Sequence, residues 1–464
     1  MLKDKAFLVG VGGSGMMPLA MILNARGVEV AGSDRALDQG RVPAKFDALR
    51  ALGIKLYPQD GSGVTSPDQL VVASAAVEET VADIAAANRL GCARATRAEL
   101  LAALFNESRL PIGVAGTSGK STVTGMIGWI LHATGRDPTV MNGAVMKNFA
   151  APDAPFASAL VGSGDAFVSE VDESDGSIAL FHPQVAVLNN VSLDHKELDE
   201  LNALFRDFLG KAKRAVVNAD NPDALALGES LPVRARSLFS IEGAGDLVAR
   251  NLREEPFGMR FDLHAEERTF PVTLQVPGRH NVSNALAALG AAMAAGVPLH
   301  EAVRAIGGFL GLRRRMDLVG EAAGVAVIDD FGHNPDKIAA TLDALHAFPG
   351  RLLLLFQPHG FGPLKLMGRE LAATFADRMR AEDVLVMPDP VYHGGTTTRD
   401  VGSADVAALV RDGGRDARHV ADRAEAARML VAKARPGDRI VVMGARDDSL
   451  TLLAEGMVRE LAAR

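Results

Sequence analysis

The chain has 464 residues, 48% of them hydrophobic and 23% charged, and a net charge of −8. That length suits about three domains with ample core, and the acidic balance excludes a general nucleic-acid binder. The single cysteine, Cys92, excludes an internal disulfide framework and fits a reducing compartment.

Residues 1–107 read as a Rossmann-like βαβ domain. Lys3 and Lys5 precede AFLVGVGGSGMMPLAMIL, which superficially resembles a signal peptide. Gly10, Gly12, Gly13 and Gly15 would weaken an apolar helix there, and no small-residue cleavage site follows. The stretch reads better as a strand, a glycine turn and a helix from Met16 to Arg26. VEVAGSD is a second strand closing in Asp34, so Gly10, Gly12, Gly15 and Asp34 have the spacing of a dinucleotide fingerprint. That spacing suits a nucleotide or nucleotide-sugar pocket; the alternative is a tight turn without a ligand. QLVVASAAV (69–77) is a further strand and TRAELLAALF (96–105) an amphipathic helix.

Residues 108–312 open on IGVAGTSGKSTVTGMIGWIL (112–131). An apolar strand breaks at Gly116, and a helix begins after the turn Gly116-Thr117-Ser118-Gly119. Backbone N–H groups in such a turn cradle phosphate, Lys120 adds charge for the β/γ-phosphates, and Ser121 offers a hydroxyl to Mg²⁺. The generic pattern has glycine where this chain has Val114, so the short form GTSGKS carries the signal.

FVSEVDESDGS (167–177) sets Glu170, Asp172, Glu173 and Asp175 after a short strand. QVAVLNNVSLDH (184–195) ends in Asn189, Asn190, Asp194 and His195. Acidic groups and a histidine at strand C-terminal ends lie where ligands bind in parallel sheets, and Glu170 with His195 suits Mg²⁺. RAVVNADNP (214–222) is another strand, and residues 240–275 alternate as a β-rich excursion. In GRHNVSNALAALGAAM, Asn281 and Asn284 share one helix face, suited to a base edge or to capping. ALAALGAAMAAGV (285–297) is too short to span a bilayer and reads as a buried helix. With no targeting or spanning segment in view, a cytoplasmic protein without membrane partners is expected.

Residues 313–464 carry VAVIDDFGHNP, LLLLFQPH, DVLVMPDP and DRIVVMGARDD, apolar strands that each end in polar residues. They predict a Rossmann-like α/β unit with its functional edge at the strand ends. The fold class expected for the whole is α/β in three domains, the central one a P-loop ATPase-like parallel sheet. No fixed-period repeat is present.

Taken in order, the phosphate loop, the carboxylate cluster, NNVSLDH, GRHNVSNALAAL, GLRRRMD and IDDFGHNP resemble the Mur ligases over essentially the whole chain. VGVGGSGMMPLA, VAGSD, SAAV and RAELL are most similar to the branch that adds L-alanine to UDP-N-acetylmuramate, and to its relative that attaches a recycled tripeptide. The resemblance implies an ATP-dependent amide ligase working through an acyl phosphate, with Mg²⁺, as a monomer or weak dimer. It implies that the first domain holds a UDP-sugar through Gly10, Gly12, Gly13, Ser14, Gly15, Asp34, Ser74 and Arg97. ATP would lie on residues Gly116 to Thr122 (Gly116, Thr117, Ser118, Gly119, Lys120, Ser121 and Thr122), with Asn284 by adenine, Asp330 on ribose and Arg315 at the γ-phosphate. Lys120, Glu170, His195 and Arg315 would be catalytic, with Ser121 and Glu170 on one Mg²⁺ and His195 on a second.

Several positions depart from that branch. Ser118 stands where it usually has histidine, and His359-Gly360-Phe361-Gly362 stands for HRYT. The amino acid or short peptide would meet His333, His359 and Arg446, the last offering paired hydrogen bonds to a carboxylate. The alternative at Arg446 is an exposed Arg-Asp pair at a helix start, with aspartate as N-cap. Several branches carry a carbamylated lysine where this chain has Phe205, while Lys211 and Lys213 fall late, so no modified lysine is expected. A non-ligating nucleotide- or precursor-binding homologue is the other function class; a dehydrogenase leaves the second phosphate loop without a role.

Overall fold

The computed structural model describes residues 3–75, 77–192, 198–391, 400–445 and 447–464. It divides into two compact units, Met1–Arg253 with Met259–Leu312, and Glu254–Gly258 with Arg313–Arg464.

The first unit contains two sheets. Five parallel strands run in the order Lys55–Tyr57, Glu29–Ser33, Lys5–Val9, Gln69–Ala73 and Ala93–Thr96. Ala6 to Val9 are buried without alternation, as a strand covered on both faces requires. The N-terminal stretch is the expected strand, turn and helix, the helix spanning Met16–Ala25. The strand expected over 69–77 stops at Ala73, and the helix expected over 96–105 spans Arg97–Asn106. Thr96 starts that helix through a capping box: its Oγ1 accepts from Glu99 N at 3.1 Å, and Glu99 Oε2 accepts from Thr96 N at 2.7 Å.

The second sheet has ten strands and is centred on Leu110–Ala115, which lies between Val185–Leu188 and Ala166–Glu170, all parallel. The β-rich excursion expected over 240–275 is present as Leu247–Glu255, Gly258–Ala265 and Arg268–Leu274, which follow Arg236–Ser240 and carry the sheet to one edge. On one face the helices Lys120–Ala133 and Arg279–Ala294 pack together through Val123, Met126, Ile127, Ala285, Leu286 and Leu289, all fully buried. Truncating Met126 there would cost about 2–5 kcal/mol. Trp129 Nε1 donates to Ala305 O at 2.8 Å from the same helix, tying it to the last turn of the helix Leu299–Ile306. The opposite face is aromatic: Phe105, Phe167, Phe181, Phe205 and Phe208 are buried in one cluster with residues of the first sheet. Phe105 meets Phe181 edge-on, with ring centroids 5.3 Å apart.

The second unit is a six-stranded sheet ordered Asp317–Ala322, Val325–Asp330, Arg439–Met443, Leu352–Phe356, Val384–Met387 and Asp416–His419. Its first pair is an antiparallel hairpin with an irregularity between Leu318 and Gly320, and the other pairs are parallel. Two apolar cores, one on each face, are covered by five helices among the described residues. No helix among the described residues is long and apolar enough to cross a membrane.

Candidate functional site

The central strand ends at Ala115, and Gly119, with φ +84°, hands the chain to the helix beginning at Lys120. A Cβ on Gly119 would lie 2.5 Å from Asn189 Nδ2 and 2.6 Å from Asn284 Oδ1, so only glycine fits. Thr117 and Ser118 form the crest. Both donate to Asn190 Oδ1 at 2.8 Å, Thr117 from its hydroxyl and Ser118 from its N–H. Ser121 and Thr122 lie half-buried in the first helical turn, where unpaired N–H groups favour an anion.

Register decides which carboxylates meet this loop. Val114 pairs with Glu170 across the two parallel strands, so Glu170 ends beside the helix start. Ser121 Oγ donates to Glu170 Oε2 at 2.9 Å, and Gly143 N–H donates to the other oxygen. Glu173 takes Lys120: Nζ donates to its two oxygens at 2.9 and 3.1 Å and to Gly116 O at 2.7 Å. Burial pushes the Glu173 carboxyl up, with Lys120 opposing. Burial also acts to raise Asp172, but the Ser174 N–H, Lys120 and Arg97 hold it below its ordinary value.

Asparagines form the floor. Asn281 Nδ2 donates to Pro277 O at 2.7 Å, Asn284 Nδ2 to Asn281 Oδ1 at 3.1 Å, and Asn189 Nδ2 to Asn284 Oδ1 at 3.1 Å. Neither Asn281 nor Asn284 caps the helix, whose N-cap is Gly278. Asn218 Nδ2 donates to Asn189 O at 2.8 Å, and Asn142 Nδ2 to Ser121 O at 2.9 Å. Asn189 Oδ1 is buried without a hydrogen-bond partner. Glu173, Asn142 and Asn190 were not singled out from sequence for these contacts; the signal was present as polar residues clustered after apolar strands.

In the first sheet, Asp34 turns inward. Its Oδ2 accepts from Gly12 N at 2.9 Å and its Oδ1 from Ala36 N at 2.7 Å, capping the short helix Arg35–Asp38. Gly10, Gly13 and Ser14 complete the turn, with Ser14 exposed, and Ser74 is exposed just beyond Gln69–Ala73. Arg97 lies against Gly15, where a Cβ would come within 2.9 Å of its Nη1. Arg97 therefore borders the first glycine turn and also acts on Asp172 near the phosphate loop.

In the second unit, Asp330 is engaged by three donors, Met316 N, Gly332 N and Thr341 Oγ1, each at 2.9 Å. Arg315 stacks on Phe331, its Cζ 4.2 Å from the ring centroid. The His333 ring meets Phe331 and His359 edge-on, with centroids 5.3 Å apart in both cases. Burial, then Lys337, His359 and Arg315, push the His333 imidazole down to about 4, against the Phe331 carbonyl. His195 and Arg446 lie outside the described residues. Of the two aspartates after Arg446, Asp447 accepts from Ser449 N at 3.0 Å and pairs with Arg423, while the N-cap Asp448 makes no capping bond.

Three stretches match Mur ligase domains: residues 7–109 the catalytic domain, 114–292 the middle domain and 314–446 the glutamate ligase domain. The chain is 37% identical over 460 residues to a UDP-N-acetylmuramate–L-alanine ligase of Streptomyces coelicolor, covering 96% of this chain and 95% of that one. A ligase of the same name from Paracoccus denitrificans is 34% identical, with coverages of 94% and 93%. The fold matches a UDP-N-acetylmuramate–alanine ligase structure from Thermotoga maritima with TM-score 0.82, 22% identity and 99% of each chain covered. A murein peptide ligase from Psychrobacter arcticus shares it at TM-score 0.72 and 23% identity, again over 99% of each chain. With its phosphate loop, its flanking carboxylates and these relatives along its length, the chain belongs to the Mur ligase family of ATP-dependent amide ligases.

Proposed function

We propose that the chain joins the carboxylate of UDP-N-acetylmuramate to the amino group of L-alanine, with ATP converted to ADP and phosphate. The observation that carries this reading is the convergence of Lys120, Ser121, Glu170 and Glu173 at the end of the central strand. The relatives named above support the choice of substrates.

A carboxylate is a poor acyl donor at neutral pH. Its oxygen attacks the γ-phosphorus, ADP leaves, and the acyl phosphate formed is open to an amine. The amine attacks the acyl carbon, loses a proton, and phosphate departs to leave the amide. Lys120 and the N–H groups of the loop offset the charge that builds as two anions approach. Arg315 serves the γ-phosphate and Asp330 the ribose, Asp330 already being oriented by three donors. His333, His359 and Arg446 receive the amino acid. His333 is neutral there and acts through hydrogen bonds rather than charge.

A hydroxyl and a carboxylate at 2.9 Å form a hard-oxygen donor set that fits Mg²⁺. Ser121 and Glu170 would hold that ion, with His195 assigned to a second, and bound Mg²⁺ would neutralise phosphate charge. In this reading residues 1–107 form the UDP-sugar domain, 108–312 the ATP domain and 313–464 the amino-acid domain. Gly10, Gly12, Gly13, Ser14, Gly15, Asp34, Ser74 and Arg97 serve the sugar nucleotide, with Asp34 acting by pinning the turn.

The test is phosphate release from ATP with UDP-N-acetylmuramate and a panel of amino acids and short peptides. Release that requires both the sugar nucleotide and L-alanine is expected. Release only with a peptide would replace the proposed amine, and nucleotide binding without amine-dependent release would point to a non-ligating homologue.

A further inference from the structure

An ammonium group has three N–H donors. In Lys120 all three are engaged within the protein, by Gly116 O and by both oxygens of Glu173. Glu173 is only 5% exposed, so this pair is sheltered from competing water. While those contacts stand, Lys120 has no donor to give to a phosphate oxygen. Glu173 also presents to Lys120 what a phosphate presents: two anionic oxygens on one centre.

We propose that Glu173 occupies the phosphate position on Lys120 and is displaced from it by the terminal phosphates of ATP. The proposal rests on the reading of Gly116 to Thr122 as the triphosphate loop. Two anions exchange on one cation, and no covalent bond changes. The backbone around Glu173 is held while this happens. Ser174 N–H donates to Asp172 Oδ1 at 3.0 Å, and Gly176 N–H donates to Glu173 O at 3.1 Å. The exchange is therefore a side-chain movement. Once displaced, the Glu173 carboxylate remains beside Asp172 and the incoming phosphates. The repulsion lowers the apparent affinity for ATP. AMP, which has no β- or γ-phosphate, does not meet Lys120 and makes no such exchange.

Binding of ATP and of AMP to the full chain is measured by calorimetry for the wild type, Glu173→Gln, Glu173→Ala and Lys120→Met. Removing the competitor should tighten ATP binding about three- to tenfold, as expected when a blocking state of roughly 70–90% is abolished. AMP binding should not change. Weaker or unchanged ATP binding by both Glu173 variants, with AMP binding intact, overturns the proposal and makes Glu173 a support for Lys120. Lys120→Met separates the two levels of inference. If it leaves ATP binding unaltered, the triphosphate-loop reading itself fails. A crystal structure of the wild type with a non-hydrolysable ATP analogue decides the matter without a variant. Lys120 on phosphate and off Glu173 supports displacement; both Glu173 contacts retained refutes it.

Discussion

Arg314 Nε faces Asp329 Oδ1 at 3.5 Å, and neither atom makes a hydrogen bond. They attract as charges across a gap too wide for a hydrogen bond. Around them, Arg314 Nη2 donates to Gly444 O and Thr451 Oγ1 donates to Asp329 Oδ2 at 2.6 Å. Arg314 itself has φ +60°. The pair sits next in sequence to Arg315 and Asp330, the two residues proposed above for ATP.

Burial pushes the Asp329 carboxyl up to about 6, against Arg314 and Thr451, with Asp317 and Asp330 adding to the rise. The folded protein therefore holds this proton more tightly than the unfolded chain. Asp329 contributes most stability below about pH 4, and the contribution is lost as pH rises through about 6. Relative to Asp329→Asn, the wild type should lose about 3 kcal/mol between pH 4 and 7. Denaturant unfolding of both proteins across that range measures the difference; a flat difference refutes the assignment.

His333 works in the opposite sense. Its imidazole titrates at about 4 in the folded protein, below the ordinary value near 6.5. Stability from its neutral form is present above about 6.5 and declines as pH falls toward 4. The His333 ring resonance in NMR should stay neutral down to about pH 5. A midpoint near the ordinary value of about 6.5 would contradict the burial argument.

Glu170→Ala removes the carboxylate bonded to Ser121 Oγ and Gly143 N. Ligation should fall at least ~10²-fold with the circular dichroism spectrum unchanged. Near-normal turnover would exclude Glu170 from the Mg²⁺ site.

Asp34→Ala leaves the buried Gly12 N–H without an acceptor and uncaps Arg35–Asp38. The expected loss is about 1–3 kcal/mol. The KM for the sugar nucleotide should rise while that for ATP stays constant. Equal changes in both would show general loosening instead.

Phe205 is fully buried in the aromatic core. Lys211 is paired with Asp207 at 2.5 Å and donates to Ala179 O at 2.8 Å. Both contacts engage the Nζ that carbamylation would modify. Intact-mass spectra should show no added carbon dioxide, and turnover should not depend on bicarbonate. An adduct on Lys211 or Lys213 would reverse this.

The strands and the glycine turns were legible because apolar runs and punctuation act locally. Thus Leu110–Ala115 and Val325–Asp330 lie where the sequence places them. Of the four carboxylates after residue 169, the sequence sets Glu170 with Ser121, and the structure brings those two together. Glu173 as the partner of Lys120 is not legible there, because it depends on how the strand of Glu170 lies in register with that of Val114. Side-chain direction was equally hidden at Asp34 and Asp330. Both close strands as ligand-binding aspartates do, yet both spend their oxygens on backbone donors. The asparagine floor joins residues 95 positions apart, a proximity that no local pattern encodes.

The chain has one tryptophan, Trp129, and it rides on the helix that starts at Lys120. Nine residues of helical rise place it about 13 Å from the loop, with its indole N–H tied to Ala305 O and its ring beside His132 and Phe149. The protein thus carries a built-in optical probe at one known address. Its emission reports on the helix that starts at Lys120 without a second tryptophan to confuse it, and needs no label or added chromophore.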